Sequence, residues 1–189
     1  MKYKIYIPPK IYCFPEIKLF YSRCLIPFSS QSKDLNLIKK MNEIYYRSTF
    51  MLEPKIYYNS FYLDQLTEEI IPIQFKDIKK MTIFISTLGK IFDDFLQNLL
   101  NENRIFEAVV ADAWGSESIE ALNWHFDKYL KAKSLMRGTR RFSPGYGNVD
   151  ITVNKFIVQN LFDIGEFSVF ESGEIYPKKT TICFVGWYI

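Results

Sequence analysis

The segment Met81 to Asn101 constrains the fold more than any other part of this 189-residue chain. Met81 to Thr87 reads Met-Thr-Ile-Phe-Ile-Ser-Thr, apolar enough to lie in the interior of a sheet. Gly89 closes that strand. Ile91, Phe92, Phe95, Leu96, Leu99 and Leu100 then recur at helical spacing, which predicts an amphipathic helix over Lys90 to Asn101 with Asp93 and Asp94 on its solvated side. A second helical stretch runs from about Ile105 to Lys133 with Gly115 inside it. A glycine there costs about 1 kcal/mol relative to alanine unless close approach requires it. That position therefore predicts a kink or tight packing, with Ser116, Ile119 and Leu122 able to restart the helix.

Around this unit the signals are more mixed. Lys2 to Ile7 alternates, with Tyr3, Ile5 and Ile7 on one face, and Pro8-Pro9 ends what reads as an edge strand. After a loop around Ser29 to Ser32, Asp34 can cap a helix whose Leu37, Ile38, Met41, Ile44 and Tyr45 form a core stripe. From Met51 to Phe75, Pro54 and Pro72 break the apolar runs and leave an irregular stretch with one strand at Lys55 to Tyr58. Near the C-terminal end, Val153, Phe156, Ile157, Asn160 and Leu161 mark a helix capped near Asp150. Phe167 to Phe170 and Thr180 to Tyr188 read as two strands paired as antiparallel neighbours. Helices lie between non-adjacent strands without a βαβ beat, which predicts one α+β domain over residues 1–189: a mixed, mainly antiparallel twisted sheet flanked by helices.

Composition narrows the function classes. A hydrophobic share of 48% with 24% charged residues is that of a folded globular chain and argues against disorder. The net charge of +3 is too mild to require a polyanion, so no nucleic-acid partner is expected. Cys13, Cys24 and Cys183 fit no Cys-x-x-Cys metal or redox pattern and read as reduced thiols. His125 has no second histidine or cysteine at ligand spacing, whereas a metal site needs three or four ligands. With no signal-type segment and no apolar run of bilayer length, a cytoplasmic protein with no membrane association is expected.

The candidate site is Thr139 to Gly147, Thr-Arg-Arg-Phe-Ser-Pro-Gly-Tyr-Gly. Arginine offers a permanently charged planar fork that matches a carboxylate or phosphate with two bonds at once. Pro144 and Gly145 force a turn just past Arg140 and Arg141. Tyr146 follows between two glycines and can offer a flat face to a planar ligand. An ordinary surface turn with solvated arginines has the same spacing, so the local pattern alone leaves both readings open.

Further segments set this loop in a longer order. They are Ser86-Thr87-Leu88-Gly89, Asp112-Ala113-Trp114-Gly115-Ser116, Glu120-Ala121-Leu122, Arg141 to Gly147, Glu171-Ser172 and Tyr176-Pro177-Lys178-Lys179. Together the set resembles the activation (reactivation) domain of cobalamin-dependent methionine synthase and its stand-alone relatives, over roughly residues 80–189. The resemblance implies S-adenosylmethionine as the bound cofactor and a second cofactor, cobalamin, carried by the partner protein. Its site residues would be Arg141 on the methionine carboxylate, the backbone at Ser143 on the adenosine end, Gly145, Tyr146 toward the corrin, and Glu171. It further implies a cobalamin-binding methionine synthase subunit as partner, with a flavodoxin- or ferredoxin-type reductant. Two departures stand out: family members continue past the last matched strand with a Tyr-bearing segment, and they carry acids on the helix where this chain has Trp124, His125 and Lys128, leaving Asp127 nearest.

Gly-x-Gly-x-x-Gly, Walker and nucleophile-elbow motifs are absent from the sequence, which agrees with the role the resemblance implies: accessory to a methyltransferase system, without self-sufficient catalysis. Two other classes fit the residues: a module that docks on a corrinoid protein without S-adenosylmethionine, and a small RNA- or phosphate-binding domain using Arg140, Arg141 and Tyr146.

Overall fold

The computed structural model describes residues 3–26 and 34–188; Lys2 and the loop expected around Ser29 to Ser32 lie outside the described residues. Seven strands and five helices follow in chain order: β1 (Lys4–Tyr6), α1 (Ile17–Arg23), α2 (Leu35–Phe50), β2 (Lys55–Tyr62), β3 (Lys80–Thr87), α3 (Lys90–Asn101), α4 (Ile105–Lys133), β4 (Arg137–Gly138), α5 (Val153–Phe156), β5 (Ser168–Val169), β6 (Ile175–Tyr176) and β7 (Thr180–Tyr188). The architecture is α+β, with a five-stranded antiparallel sheet in the order β1-β2-β3-β7-β4.

The two central strands explain why the sheet is covered on both faces. Along β3, Met81, Ile83 and Ile85 join one apolar core, and Phe84 joins the other. Along β7, Ile182 and Phe184 face the first of these cores, while Cys183, Val185 and Trp187 face the second. Side chains alternate across a strand, so two strands buried at nearly every position need a layer above and a layer below. The helices α1 to α4 supply one layer. The other comes from the segment 142–167, which includes α5 and the single π-type stretch Ile157–Phe162, and from the turns between β2 and β3.

Local signals account for much of this. The Asp34 side chain accepts from the backbone N–H groups of Asn36 and Leu37 at 3.0 and 3.1 Å, capping α2 where expected. Helix α4 runs unbroken through Gly115, which resolves the expectation of a kink in favour of tight packing. A Cβ at Gly115 would collide with the buried Phe92 ring and lie 3.1 Å from Cε of Lys179. Phe92 is in turn stacked on Trp114 at 5.7 Å between centroids. The missing side chain at Gly115 thus leaves room for the Phe92 ring of α3 against α4.

Several expectations need correction. Phe167 to Phe170 does not pair with the last strand: β5 forms a two-stranded ribbon with β6, and β7 inserts between β3 and β4. Strand β2 extends to Tyr62, because every residue from Lys55 onward finds a register partner on β3. Ile5 in β1 and Ile7 just past it are exposed, and the inward contacts come from Tyr6 and from Tyr3 just before the strand, which packs on Tyr57. Asp93 is buried and not solvated, since it accepts the Lys178 backbone N–H arriving from the turn before β7. Among the described residues no helix is long and apolar enough to cross a membrane.

Candidate functional site: a polar seam between α4 and the β7 edge

On α4, Asp112, Ser116, Glu120 and Asn123 are spaced four, four and three residues apart, which sets them on one stripe. Lys179, Thr181 and Cys183 fall on one face of the β7 segment because side chains alternate along a strand. Stripe and strand meet residue by residue. Lys179 Nζ lies 2.8 Å from Asp112 Oδ1 and donates to Ser116 Oγ at 2.9 Å. Asn123 Nδ2 donates to Thr181 Oγ1 at 3.0 Å. Arg141 completes the row by ion-pairing through Nη2 with Glu120.

Burial along the row is uneven. The Lys179 side chain is 11% exposed, whereas those of Arg141 and Glu120 are 23% and 48% exposed. Asp112 is itself 59% exposed, so both carboxylates of the row reach solvent while their cationic partners Lys179 and Arg141 are the better buried, and the Arg141–Glu120 pair is half open.

The segment bearing Arg141 is held by β7. Phe142 exchanges both backbone bonds with Phe184, at 3.0 and 2.7 Å. Antiparallel alternation then turns the peptide groups of Arg141 and Ser143 outward, toward the open edge of the sheet. The Ser143 hydroxyl lies 3.4 Å from the Cys183 thiol. Burial pushes that thiol up to about 11, although Arg141 and Ser143 act in the opposite direction. All three cysteines are free.

Beyond Ser143 the chain reverses, with Gly145 at φ 90°, a conformation that glycine adopts without strain. Gly145 N–H donates to the Val149 carbonyl at 2.9 Å, and Val149 N–H donates to that of Tyr146 at 3.2 Å. Asn148 pins the tip to the turns after β2, accepting from Ile73 N–H at 2.8 Å and donating to the Ile71 carbonyl at 3.0 Å. Tyr146 projects from this anchored tip, 70% exposed.

The structure thus brings Arg141 and Ser143 together on the seam and sets Gly145 and Tyr146 at its outer turn. Glu171 lies elsewhere in the bonding pattern, ion-paired with Lys155. Asp127, nearest in sequence to the expected acids, is engaged by Lys131 one helical turn on at 2.8 Å. The acid that meets Arg141 is Glu120, 21 positions away in sequence and not recognisable as its partner from local spacing. His125 stacks on Tyr12 with centroids 4.6 Å apart, and burial, with a contribution from Lys128, lowers its pKa. Among the described residues no group of His, Cys, Asp or Glu could hold a metal ion.

The architecture is a helix-backed antiparallel sheet whose last strand, β7, is flanked by an Arg-x-x-x-Gly-Tyr segment. A crystal structure of the MetH reactivation domain bound to AdoHcy shares this fold, with a TM-score of 0.71 and 12% sequence identity, covering 98% of this chain and 78% of that one. No protein-family model and no curated protein sequence matches the chain.

Proposed function

We propose that this chain is an S-adenosylmethionine-binding reactivation subunit that supports reductive remethylation of cobalamin in a cobalamin-dependent methionine synthase. The observation that carries the reading is the half-open Arg141–Glu120 pair. An amino-acid end bears a carboxylate and an ammonium on one carbon, and an adjacent guanidinium and carboxylate present the complementary poles. Arg141 takes the ligand carboxylate in its fork, and Glu120 accepts from the ligand ammonium. The outward peptide groups flanking Phe142, those of Arg141 and Ser143, are available to the polar edge of an adenine or ribose. Gly145 allows close approach at the turn, and Tyr146 faces the corrin of the partner subunit.

The residues present fit the ligand in charge and in the availability of backbone donors. When bound, S-adenosylmethionine would supply the methyl group, for a corrin that the partner would carry and a flavodoxin- or ferredoxin-type reductant would reduce. This chain binds, orients and exposes the methyl donor. The known structure of similar fold binds AdoHcy, which supports a ligand of the same adenosyl amino-acid class here.

Calorimetric titration with S-adenosylmethionine, with adenosine and with a short single-stranded RNA tests the proposal. Saturable binding of S-adenosylmethionine that exceeds adenosine is expected. Binding of RNA alone, with a steep loss of affinity on adding salt, would replace this reading, and binding of none of the three would reduce the chain to a docking module.

A further inference from the structure

The sequence is lysine-rich, and only six of its 24 basic residues are arginine: Arg23, Arg47, Arg104, Arg137, Arg140 and Arg141. Half of them fall within five positions. Arg23 and Arg104 are each paired with carboxylates, Arg47 lies over the Phe95 ring, and Arg141 holds Glu120. Among the described residues neither Arg137 nor Arg140 meets a carboxylate.

Both line one groove of about 460 Å³ along β4, together with Arg141, Gln74, Phe75 and Tyr188. Among the described residues no acidic side chain lines it. Its frame is rigid: Thr139 N–H donates to the Gly186 carbonyl at 2.9 Å, Gly186 N–H donates to Thr139 Oγ1 at 3.0 Å, and Phe142 is bonded at both backbone atoms to Phe184. The Arg137 guanidinium lies over the Tyr188 ring, 5.7 Å from its centroid, which keeps the charge against the groove wall. Gathering like charge on a fixed edge is unfavourable without a counter-ion, and guanidinium forks match tetrahedral oxyanions better than lysine does.

We infer that this groove binds a phosphate group carried on a small ligand, with Arg137 and Arg140 as the donors. The groove adjoins the proposed amino-acid subsite through Arg141, which lines it but turns its guanidinium to Glu120, leaving Arg137 and Arg140 as the groove's own donors. The phosphate could come from an inorganic oxyanion or from a phosphoester, so inorganic pyrophosphate and phenyl phosphate, a monophosphate without an adenosyl group, serve as separate probes.

Each probe is titrated calorimetrically into the intact chain, into Arg137→Gln and Arg140→Gln, and into Arg23→Gln as a charge-matched control, with circular dichroism confirming that each variant is folded. At least one probe is expected to bind with a dissociation constant below about 1 mM, weakened about tenfold by either groove substitution and unchanged by Arg23→Gln. Tighter binding of the monophosphate assigns a phosphoester, and tighter binding of pyrophosphate an inorganic oxyanion. No binding of either probe, or equal weakening in all three variants, overturns the assignment. Arg137→Gln is expected to leave S-adenosylmethionine titration unchanged, so failure of the groove and failure of the amino-acid subsite are separately visible.

Discussion

Arg141 and Glu120 join the flank of β7 to the middle of α4 through one ion pair, in a polar seam whose two carboxylates, Asp112 and Glu120, both reach solvent. With the Glu120 side chain 48% exposed, the pair contributes little to folding, since exposed pairs give about 0–1 kcal/mol. Glu120→Ala is therefore expected to lower stability by less than about 1 kcal/mol in denaturant titration, while weakening any ligand that carries an ammonium. A large loss of stability would make the pair a structural clamp.

Gly115→Ala should be destabilising even though alanine is the better helix former. The added methyl meets the Phe92 ring, which is fully buried and stacked on Trp114, so the ring cannot swing away. Overpacking of this kind costs about 1–3 kcal/mol, which exceeds the gain of about 1 kcal/mol in helix propensity. Thermal unfolding should show a lower midpoint, and an unchanged or raised midpoint would mean that α3 can shift away from α4.

Asp93 gives a pH-dependent test. Burial raises its carboxyl pKa above the ordinary value, against the Lys178 backbone bond and the charges of Lys178 and Lys179. Its Oδ1 is buried without a hydrogen-bond partner. A raised folded-state pKa means that the protonated form suits the fold, so this group's contribution is full below the unfolded pKa of about 3.9 and is lost as pH rises through the folded value. Asp93→Asn keeps an acceptor for Lys178 and removes the charge. It should match or exceed the wild type at neutral pH and lose that advantage as pH falls. Asp93→Ala should cost about 1–3 kcal/mol by leaving the Lys178 N–H unpaired. Equal stability of all three proteins across pH would contradict this account.

Tyr146 is 70% exposed on a tip fixed by Gly145, Val149 and Asn148. Tyr146→Ala should move the melting temperature by no more than a few degrees, the shift that about 1 kcal/mol produces at this size. Reactivation of the partner should fall more strongly. A drop of ten degrees would make Tyr146 part of the fold.

The parts of this molecule legible in the sequence are those governed by local rules. Helix α3 runs over the expected residues Lys90–Asn101, because a clean apolar stripe starts after Gly89. The cap at Asp34 and the strand β3 are equally local. Where distant chain segments meet, local reading failed. Asp93 looks solvated on a helical wheel until the Lys178 turn covers it, and β7 looks like the partner of the Phe167 segment until β3 and β4 claim both of its edges. In the candidate site the arginine, the turn and the exposed tyrosine were visible as a motif. The acid opposite Arg141 was not recognised, because it reaches the loop only through the packing of α4 on the sheet.

The most direct test of the central claim is calorimetric titration of S-adenosylhomocysteine into the wild type, Arg141→Ala and Arg141→Lys. Truncating one side of a desolvated charge pair costs about 2–5 kcal/mol, and about 1.4 kcal/mol is tenfold in affinity. Arg141→Ala should therefore lose about thirtyfold or more in affinity, with Arg141→Lys failing to restore it because an ammonium cannot form two parallel bonds. A small loss in Arg141→Ala that lysine repairs would show that Arg141 acts only as diffuse surface charge, and would contradict the account.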